Sequence, residues 1–251
     1  MRTTSGLLSL LLILSAGAAN AQTVPHTPDG KPDFSGFWSW PTTVNPTGPR
    51  GTGIFNKDKL APVKPGAESL LYHARTGDAR KDEPRSACLP SGFPSGMLYA
   101  LPVQVFQTPK YLVIVHELQR MTRIIPLDGR PHRTNLEPSY YGDSVGHWEG
   151  DTIVIDTNNF KPWVLDDYHY TDATKSRWHT DALHTIERLQ RTDEKTIAYR
   201  ITVDDPKIFT QPFSQDFKMT LHADWEEATG LLEYVCEENN RCSGGKCAEK
   251  E

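Results

Sequence analysis

The chain has 251 residues, with 27 Lys and Arg against 32 Asp and Glu, which gives a formal net charge of −5. Nucleic acids and anionic membranes are bound through concentrated positive charge, so a mildly acidic chain with scattered basic residues argues against both as partners. The length suits one large domain or two small ones.

The N-terminus predicts a secretory signal peptide over residues 1–21. Arg2 supplies a positive charge, and Leu7–Leu14 is apolar but too short to span a bilayer as a helix. The sequence Ala19-Asn20-Ala21 has the small-x-small pattern of a signal-peptidase site. We therefore expect a periplasmic or secreted mature chain without a membrane span.

Residues 22–100 combine loops rich in Pro and Gly with few regular elements. Ser35–Trp40 predicts a strand, and Pro65–Thr76 predicts a short helix that stops at Gly77. The polar and then turn-rich stretch 78–97 is where a lid over a pocket is expected. We expect this segment to pack on the rest of the chain as part of one domain.

From residue 101 to residue 251 the sequence predicts the main antiparallel β region. The predicted strands are Val103–Thr108, Tyr111–Glu117, Met121–Pro126, the hairpin Gly146–Asp156 around Glu149-Gly150-Asp151, the hairpin of Ala182–Arg191 and Lys195–Val203, Phe217–His222, and Leu231–Cys236. Residues 158–181 are expected to be one long connection. Roughly ten strands with frequent turns predict a mostly β fold, either a single antiparallel β-barrel of calycin-like type or a barrel-like sandwich, with long loops and one or two short helices.

Four cysteines, Cys88, Cys236, Cys242 and Cys247, remain in the exported chain and allow three disulfide pairings. We favour Cys88–Cys236 together with Cys242–Cys247, because the glycines of Ser-Gly-Gly-Lys permit a tight return between the last two. The spacing does not match the paired cysteines of a zinc site.

Two resemblances bear on these predictions. Ser35-Gly36-Phe37-Trp38 resembles the Gly-x-Trp entry of lipocalin-like and other calycin barrels, which implies that Trp38 plugs one end of a barrel. A longer set of motifs resembles an exported bacterial family whose members have no assigned activity. These motifs are Pro32–Trp38, Ile125–His132, Tyr141–Thr152 (YGDSVGHWEGDT) and Glu233–Asn240 (EYVCEENN). The family resemblance implies bacterial export and one intact domain, and it implies no catalytic residues.

The densest group of titratable side chains lies between residues 141 and 188. The candidate catalytic residues are His147, His179, Asp181, His184 and Arg188, and the candidate ligand-binding residues are Tyr141, Asp143, Trp148 and His169. We expect the four histidines of this group, Asp181 and Arg188 to border one cavity, with Tyr141 and Trp148 near its rim. His, Asp and Arg side chains beside aromatic rings can hold a ligand and transfer a proton.

Local spacing leaves alternatives open at four of these positions. His179 and Asp181 are two residues apart and share a face if the chain is extended there. His184 and Arg188 share a strand face that points either into a barrel or into solvent, and in the second case Arg188 pairs with a neighbouring carboxylate. The identity of any cofactor is open, although the histidines and carboxylates could hold a divalent metal such as zinc.

Three functions are compatible with these features. The first is a small-molecule-binding barrel with a largely apolar or aromatic ligand. If this barrel is an enzyme, acid–base chemistry makes it an isomerase, a lyase or a hydrolase. The second is a non-catalytic structural or interaction domain of the cell envelope, and the third is a metal-dependent enzyme. An internal cavity ringed by the His and Asp residues would favour the first, and a filled core with those residues on the surface would favour the second.

The signal peptide makes a direct prediction. Protein purified from the periplasm or culture medium should begin at Gln22 or within a few residues of it, as read by N-terminal sequencing or intact mass. Exported protein that retains Met1 would contradict this prediction.

Overall fold

The structure, a computed structural model, describes residues 23–40, 55, 57–74, 76–78, 82, 88–99, 101–166, 176–225 and 230–236. The predicted signal peptide, His169 and the predicted Cys242–Cys247 bond lie outside these residues.

Strands are the main regular secondary structure of the described chain. Its strands are β1 (Gly36–Ser39), β2 (Val103–Gln107), β3 (Tyr111–His116), β4 (Thr122–Pro126), β5 (Asp143–Glu149), β6 (Thr152–Asn158), β7 (Trp163–Asp166), β8 (Arg177–His179), β9 (His184–Arg191), β10 (Thr196–Asp204) and β11 (Phe213–Leu221). The helices are α1 (Glu68–Leu71) and the 3-10 segments Lys57–Lys59 and Leu118–Arg120. Among the described residues, no helix is long and apolar enough to cross a membrane.

Nine strands form one antiparallel sheet in the order β4-β3-β2-β1-β11-β10-β9-β6-β5, and β7 pairs separately with β8. The end strands β4 and β5 lie side by side, so the nine-stranded sheet is nearly closed into a barrel. The predicted mostly β, barrel-like fold is therefore confirmed. So are both predicted hairpins, since β5 pairs with β6 across Glu149–Asp151 and β9 pairs with β10.

The seam between β4 and β5 depends on Gly146. A Cβ atom there would lie 3.0 Å from Leu127 and 3.2 Å from Ile125, so any larger residue would require these side chains to shift. Gly129 N donates to Gly146 O at 2.9 Å immediately beyond β4. This contact joins the two ends of the sheet where the strand ladder itself is interrupted.

A buried ion pair crosses the inside of the sheet near the same seam. Arg123 of β4 donates to both carboxylate oxygens of Glu187 on β9, at 3.0 and 2.6 Å. The same guanidinium donates to Ser144 of β5 and Thr157 of β6, at 3.1 and 3.3 Å, and Tyr199 of β10 donates its hydroxyl to Glu187 at 2.9 Å. The hydrogen bonds of this buried Arg123–Glu187 pair therefore link β4 to four other strands.

Trp38 of β1 is fully buried, as predicted for the entry aromatic of a barrel. Its indole nitrogen donates to Phe34 O at 2.9 Å, and the Arg191 guanidinium lies 5.1 Å from the ring centre. Arg191 also donates to the backbone carbonyls of Asp33 and Glu194. The indole nitrogen is therefore satisfied inside an aromatic core, which is what allows a tryptophan to be buried completely.

Residues 91–98, part of the stretch expected to hold a lid, are buried rather than lying free on the surface. Phe93 packs with its ring 4.3 Å from the Arg123 guanidinium. Trp163 donates to Pro90 O at 2.8 Å, and the disulfide Cys88–Cys236 anchors the start of the segment. The predicted long-range disulfide is confirmed.

Three predicted elements differ from the structure. The helix covers only Glu68–Leu71, because the backbone at Tyr72 becomes extended and bridges to Arg177. The expected connection 158–181 contains β7 and β8. Leu231–Cys236 is not a strand in the structure; there the chain is held instead by Cys236, by Arg120 donating to Leu231 O, and by Leu232 N donating to Glu117.

Replacement of Arg123 by Met should lower the free energy of unfolding by about 3–5 kcal/mol, because the buried Glu187 carboxylate then loses its cationic partner. Urea unfolding monitored by tryptophan fluorescence measures this change. The double variant Arg123→Met, Glu187→Leu should recover part of the loss. An Arg200→Ala control, which breaks an exposed pair with Asp216, should cost less than about 1 kcal/mol. Equal effects of Arg123→Met and Arg200→Ala would contradict the assigned role of Arg123.

Candidate functional site

The clearest cluster of titratable groups is centred on Asp156, near the end of β6. His132 places Nε2 2.8 Å from Asp156 Oδ1, and His184 places Nε2 2.9 Å from the same oxygen. We call these three residues the Asp156 cluster. Two imidazoles that share one carboxylate oxygen form a compact unit for holding and moving protons.

Strand register explains how His184 reaches Asp156. Asp156 is paired with Ile186 across β6 and β9, so His184, two residues earlier, projects from the same face as its diagonal neighbour. In β9 the residues Thr185, Glu187 and Leu189 are buried, whereas His184 is half-exposed. The Asp156 cluster therefore lies on the outer face of the sheet.

His132 comes from the segment that follows β4 and crosses this outer face. Its Nδ1 lies 3.2 Å from Asp143 Oδ2, and Asp143 also accepts from Arg133 N at 2.9 Å and Arg133 Nε at 2.8 Å. The Asp143 side chain is only 3% exposed. Asp143 thus fixes the ring of His132 from behind while the other ring nitrogen faces Asp156.

A surface cleft of about 640 Å³ opens beside the cluster. It is lined by His132, Arg133, Thr134, Asn135, Leu136, Asn158, Asn159, Asp181, Ala182, Leu183 and His184. Most of these side chains are polar. The cleft brings a half-exposed imidazole, His184, into contact with a space that a small molecule can enter.

The electrostatics of the Asp156 cluster favour a charged histidine. The hydrogen bond from His184 to Asp156 raises the pKa of His184, against the opposing effect of partial burial, and Asp204 adds to the rise. Burial would raise the pKa of Asp156, but the hydrogen bonds from His184 and His132 hold it below its usual value. The pair therefore resembles an ion pair at the wall of the cleft.

His147 and Arg188 belong to a different part of the surface. Arg188 donates to Glu149 Oε2 at 2.7 Å, and His147 Nε2 lies 3.3 Å from Glu149 Oε1. Arg188 lines a separate groove with residues of β10 and β11 such as Arg200. This corresponds to the alternative in which His184 and Arg188 point into solvent and Arg188 pairs with a carboxylate.

His179 and Asp181 are separated because β8 ends at His179 and the chain turns at Thr180, so the period of an extended strand is lost. His179 is buried, its Nδ1 lies 2.9 Å from Thr180 O, and its Nε2 has no hydrogen bond to a described residue. Asp181 is exposed and pairs with Lys207 at 2.5 Å. Only Asp181 reaches the cleft.

The candidate ligand-binding residues are also divided. Asp143 stands behind His132, as described above. Tyr141 is partly buried against the core, and burial raises its pKa to about 12. Trp148 packs near Phe34, with ring centres 6.1 Å apart, and Lys31 lies 5.1 Å from its ring. The expectation of one cavity bordered by all these residues does not hold for the described ones.

Sequence reasoning missed His132, Arg133 and the central role of Asp156. In the sequence, His132 stands out only as the last residue of the motif Ile125–His132. Its position just after a strand, in a polar run with Asp128 and Arg133, is the sequence signal that points to a site.

The comparisons add no functional information: protein-family models and curated proteins show no match to this chain. Within the described residues, no group of three or more His, Cys, Asp or Glu side chains is arranged to hold a metal ion.

Burial gives His179 a testable effect on stability. Its pKa is lowered to about 4, so the folded protein binds fewer protons than the unfolded chain between about pH 6.5 and pH 4. The stability that depends on a neutral His179 is fully present above pH 6.5 and is lost as the pH falls toward 4. Between pH 7 and pH 4.5, denaturant unfolding should show that a His179→Asn variant loses roughly 2–3 kcal/mol less stability than the wild type. An identical pH dependence in both proteins would contradict a buried, neutral His179.

Proposed function

We propose that this chain is an exported small-molecule-binding protein with a barrel-like fold, that its ligand binds in the cleft beside the Asp156 cluster, and that His184 exchanges a proton with that ligand. The Cys88–Cys236 disulfide supports the export part of the proposal, since disulfides persist in oxidising compartments such as the periplasm.

The observation that carries the proposal is the pair His184–Asp156 at the edge of an open cleft. A histidine with a raised pKa, bonded at Nε2 to a carboxylate, keeps its proton to a higher pH than an isolated imidazole does. The other ring nitrogen, Nδ1, has no hydrogen bond to a described residue, and His184 lines the cleft, so a molecule bound there can contact this nitrogen. This is the arrangement expected of a general acid or base.

The lining of the cleft favours a polar ligand. Asn135, Asn158 and Arg133 supply amide and guanidinium groups there, whereas the inside of the sheet is filled by aromatic and aliphatic side chains. Asn135 and Asn159 both adopt positive φ angles, 62° and 59°, and residues held in this region cluster at functional sites. A polar ligand thus fits the cleft better than the largely apolar ligand suggested by the sequence.

A second candidate function is an interaction domain, and one surface favours it. Phe106, Val113 and Ile124 are neighbours in register across the outer faces of β2, β3 and β4. Phe106 is 47% exposed and Ile124 is 63% exposed. A row of exposed apolar side chains on a sheet is typical of a surface that contacts another protein. The third candidate, a metal-dependent enzyme, stays a prediction, and no set of metal ligands is found among the described residues.

Native mass spectrometry of protein purified from its own periplasm tests the leading proposal. Wild-type protein should carry a bound small molecule, and a His184→Gln variant should lose it with little change in melting temperature. A His147→Gln variant is the matched control, because His147 is equally exposed on the same sheet but away from the cleft.

Retention of the bound mass in both variants would show that binding occurs elsewhere. Absence of any bound mass in wild-type protein, together with loss of a co-purifying partner on Ile124→Glu substitution, would favour the interaction domain instead.

A further inference from the structure

Five basic and acidic side chains alternate in a hydrogen-bonded series beside the cleft, and three of them line it. In order they are Arg133, Asp143, His132, Asp156 and His184, and we call them the charge chain. The successive contacts are 2.8 Å from Arg133 Nε to Asp143, 3.2 Å from Asp143 to His132 Nδ1, 2.8 Å from His132 Nε2 to Asp156, and 2.9 Å from Asp156 to His184 Nε2.

His132 is the central link of the charge chain. A carboxylate accepts hydrogen bonds and donates none, so His132 can bond to both Asp143 and Asp156 only when both ring nitrogens carry hydrogen. The ring is cationic in that form. Its side chain is 23% exposed and Asp143 is almost completely buried, so water competes weakly for these contacts.

His184 and His132 approach the same atom, Asp156 Oδ1. A carboxylate that is already paired with one cation attracts a second cation less strongly, and two positive rings a few ångströms apart repel each other. The proton on His184 is consequently held less firmly than it would be if Asp156 had no other partner.

We propose that His132 is a positioning residue, held by Asp143, which takes up part of the charge of Asp156 and so sets how firmly His184 keeps its proton. The inference rests on the proposed function for its relevance to catalysis or binding. The effect of His132 on the proton of His184 involves only residues of the charge chain and can be tested without any ligand.

The other charged groups around His184 do not change the sign of the effect. Asp204 of β10 is paired in register with His184 and favours its protonated form. Asp181, in the turn before β9, is already paired with Lys207. Neither group contacts His132, so both act equally in wild-type protein and in His132 variants.

NMR titration of the imidazole resonances in the mature, ligand-free protein tests the proposal, with His184 assigned from a His184→Gln variant. Replacement of His132 by Leu should raise the titration midpoint of His184 by about one pH unit, because Asp156 is then left to His184 alone. Asp128→Asn, which removes an exposed carboxylate paired with Arg130 in the same segment, should leave this midpoint unchanged.

A neutral donor at position 132 separates charge from hydrogen bonding. His132→Gln can still donate to Asp156 but carries no charge, so the midpoint should lie between those of the wild type and His132→Leu. If His132→Leu fails to fold, His132→Gln gives the same test. An unchanged or lowered midpoint in the folded variants would overturn the proposal. Because no ligand is added, this outcome is independent of whether native mass spectrometry finds a bound molecule.

Discussion

The buried pair Arg123–Glu187 is the contact on which the shape of this protein depends. The sheet ends at β4 on one side and β5 on the other, and these strands approach each other without a continuous ladder of backbone hydrogen bonds. Arg123 spans that interruption from the inside, reaching side chains of β5, β6 and β9. A charge buried this deeply is tolerated only because it is paired and hydrogen-bonded, so the pair also specifies which strands must meet.

This internal network decides where chemistry can occur. Glu187 occupies the inner face of β9, and the surrounding interior is filled by side chains such as Trp38, Phe93 and Tyr199. The alternation of a strand then forces His184 to the outer face. The polar cleft is consequently on the outside of the barrel-like sheet, where His184 can contact both Asp156 and solvent.

The connection between β4 and β5 also supplies the other residues of the site. After β4 the chain crosses the outer face of the sheet, where His132 contacts Asp156, before it re-enters as β5. His132 and Arg133 lie in that segment. Asp143, the first residue of β5, holds both of them. Closure of the sheet and assembly of the charge chain are therefore consequences of the same connection.

Much of the fold could be predicted from the sequence because the signals are local. Alternation identifies strands such as β10, turn residues identify the hairpins, and the aromatic entry motif marks Trp38 as a core residue. The even number of cysteines in an exported chain predicts disulfides, and Cys88 and Cys236 do form the expected bond. The helix is shorter than predicted because Tyr72 bridges to Arg177, which is distant in the chain. The unpredicted strands β7 and β8 pair with each other, apart from the nine-stranded sheet.

The site was less predictable, for a physical reason. A period of two establishes that His184 and Arg188 share one face and Glu187 the other, but both faces carry polar residues, so the pattern cannot decide which face is buried. That decision comes from Arg123, which lies 64 residues away in sequence from Glu187. The contacts of Asp156 with His132 and His184 likewise join segments that only the tertiary fold brings together. The sequence by itself determined most strands of the nine-stranded sheet, the residues that share each strand face and the kinds of side chain available. The tertiary structure decided which face is inside and which histidines meet at Asp156, because both depend on contacts between segments distant in the chain.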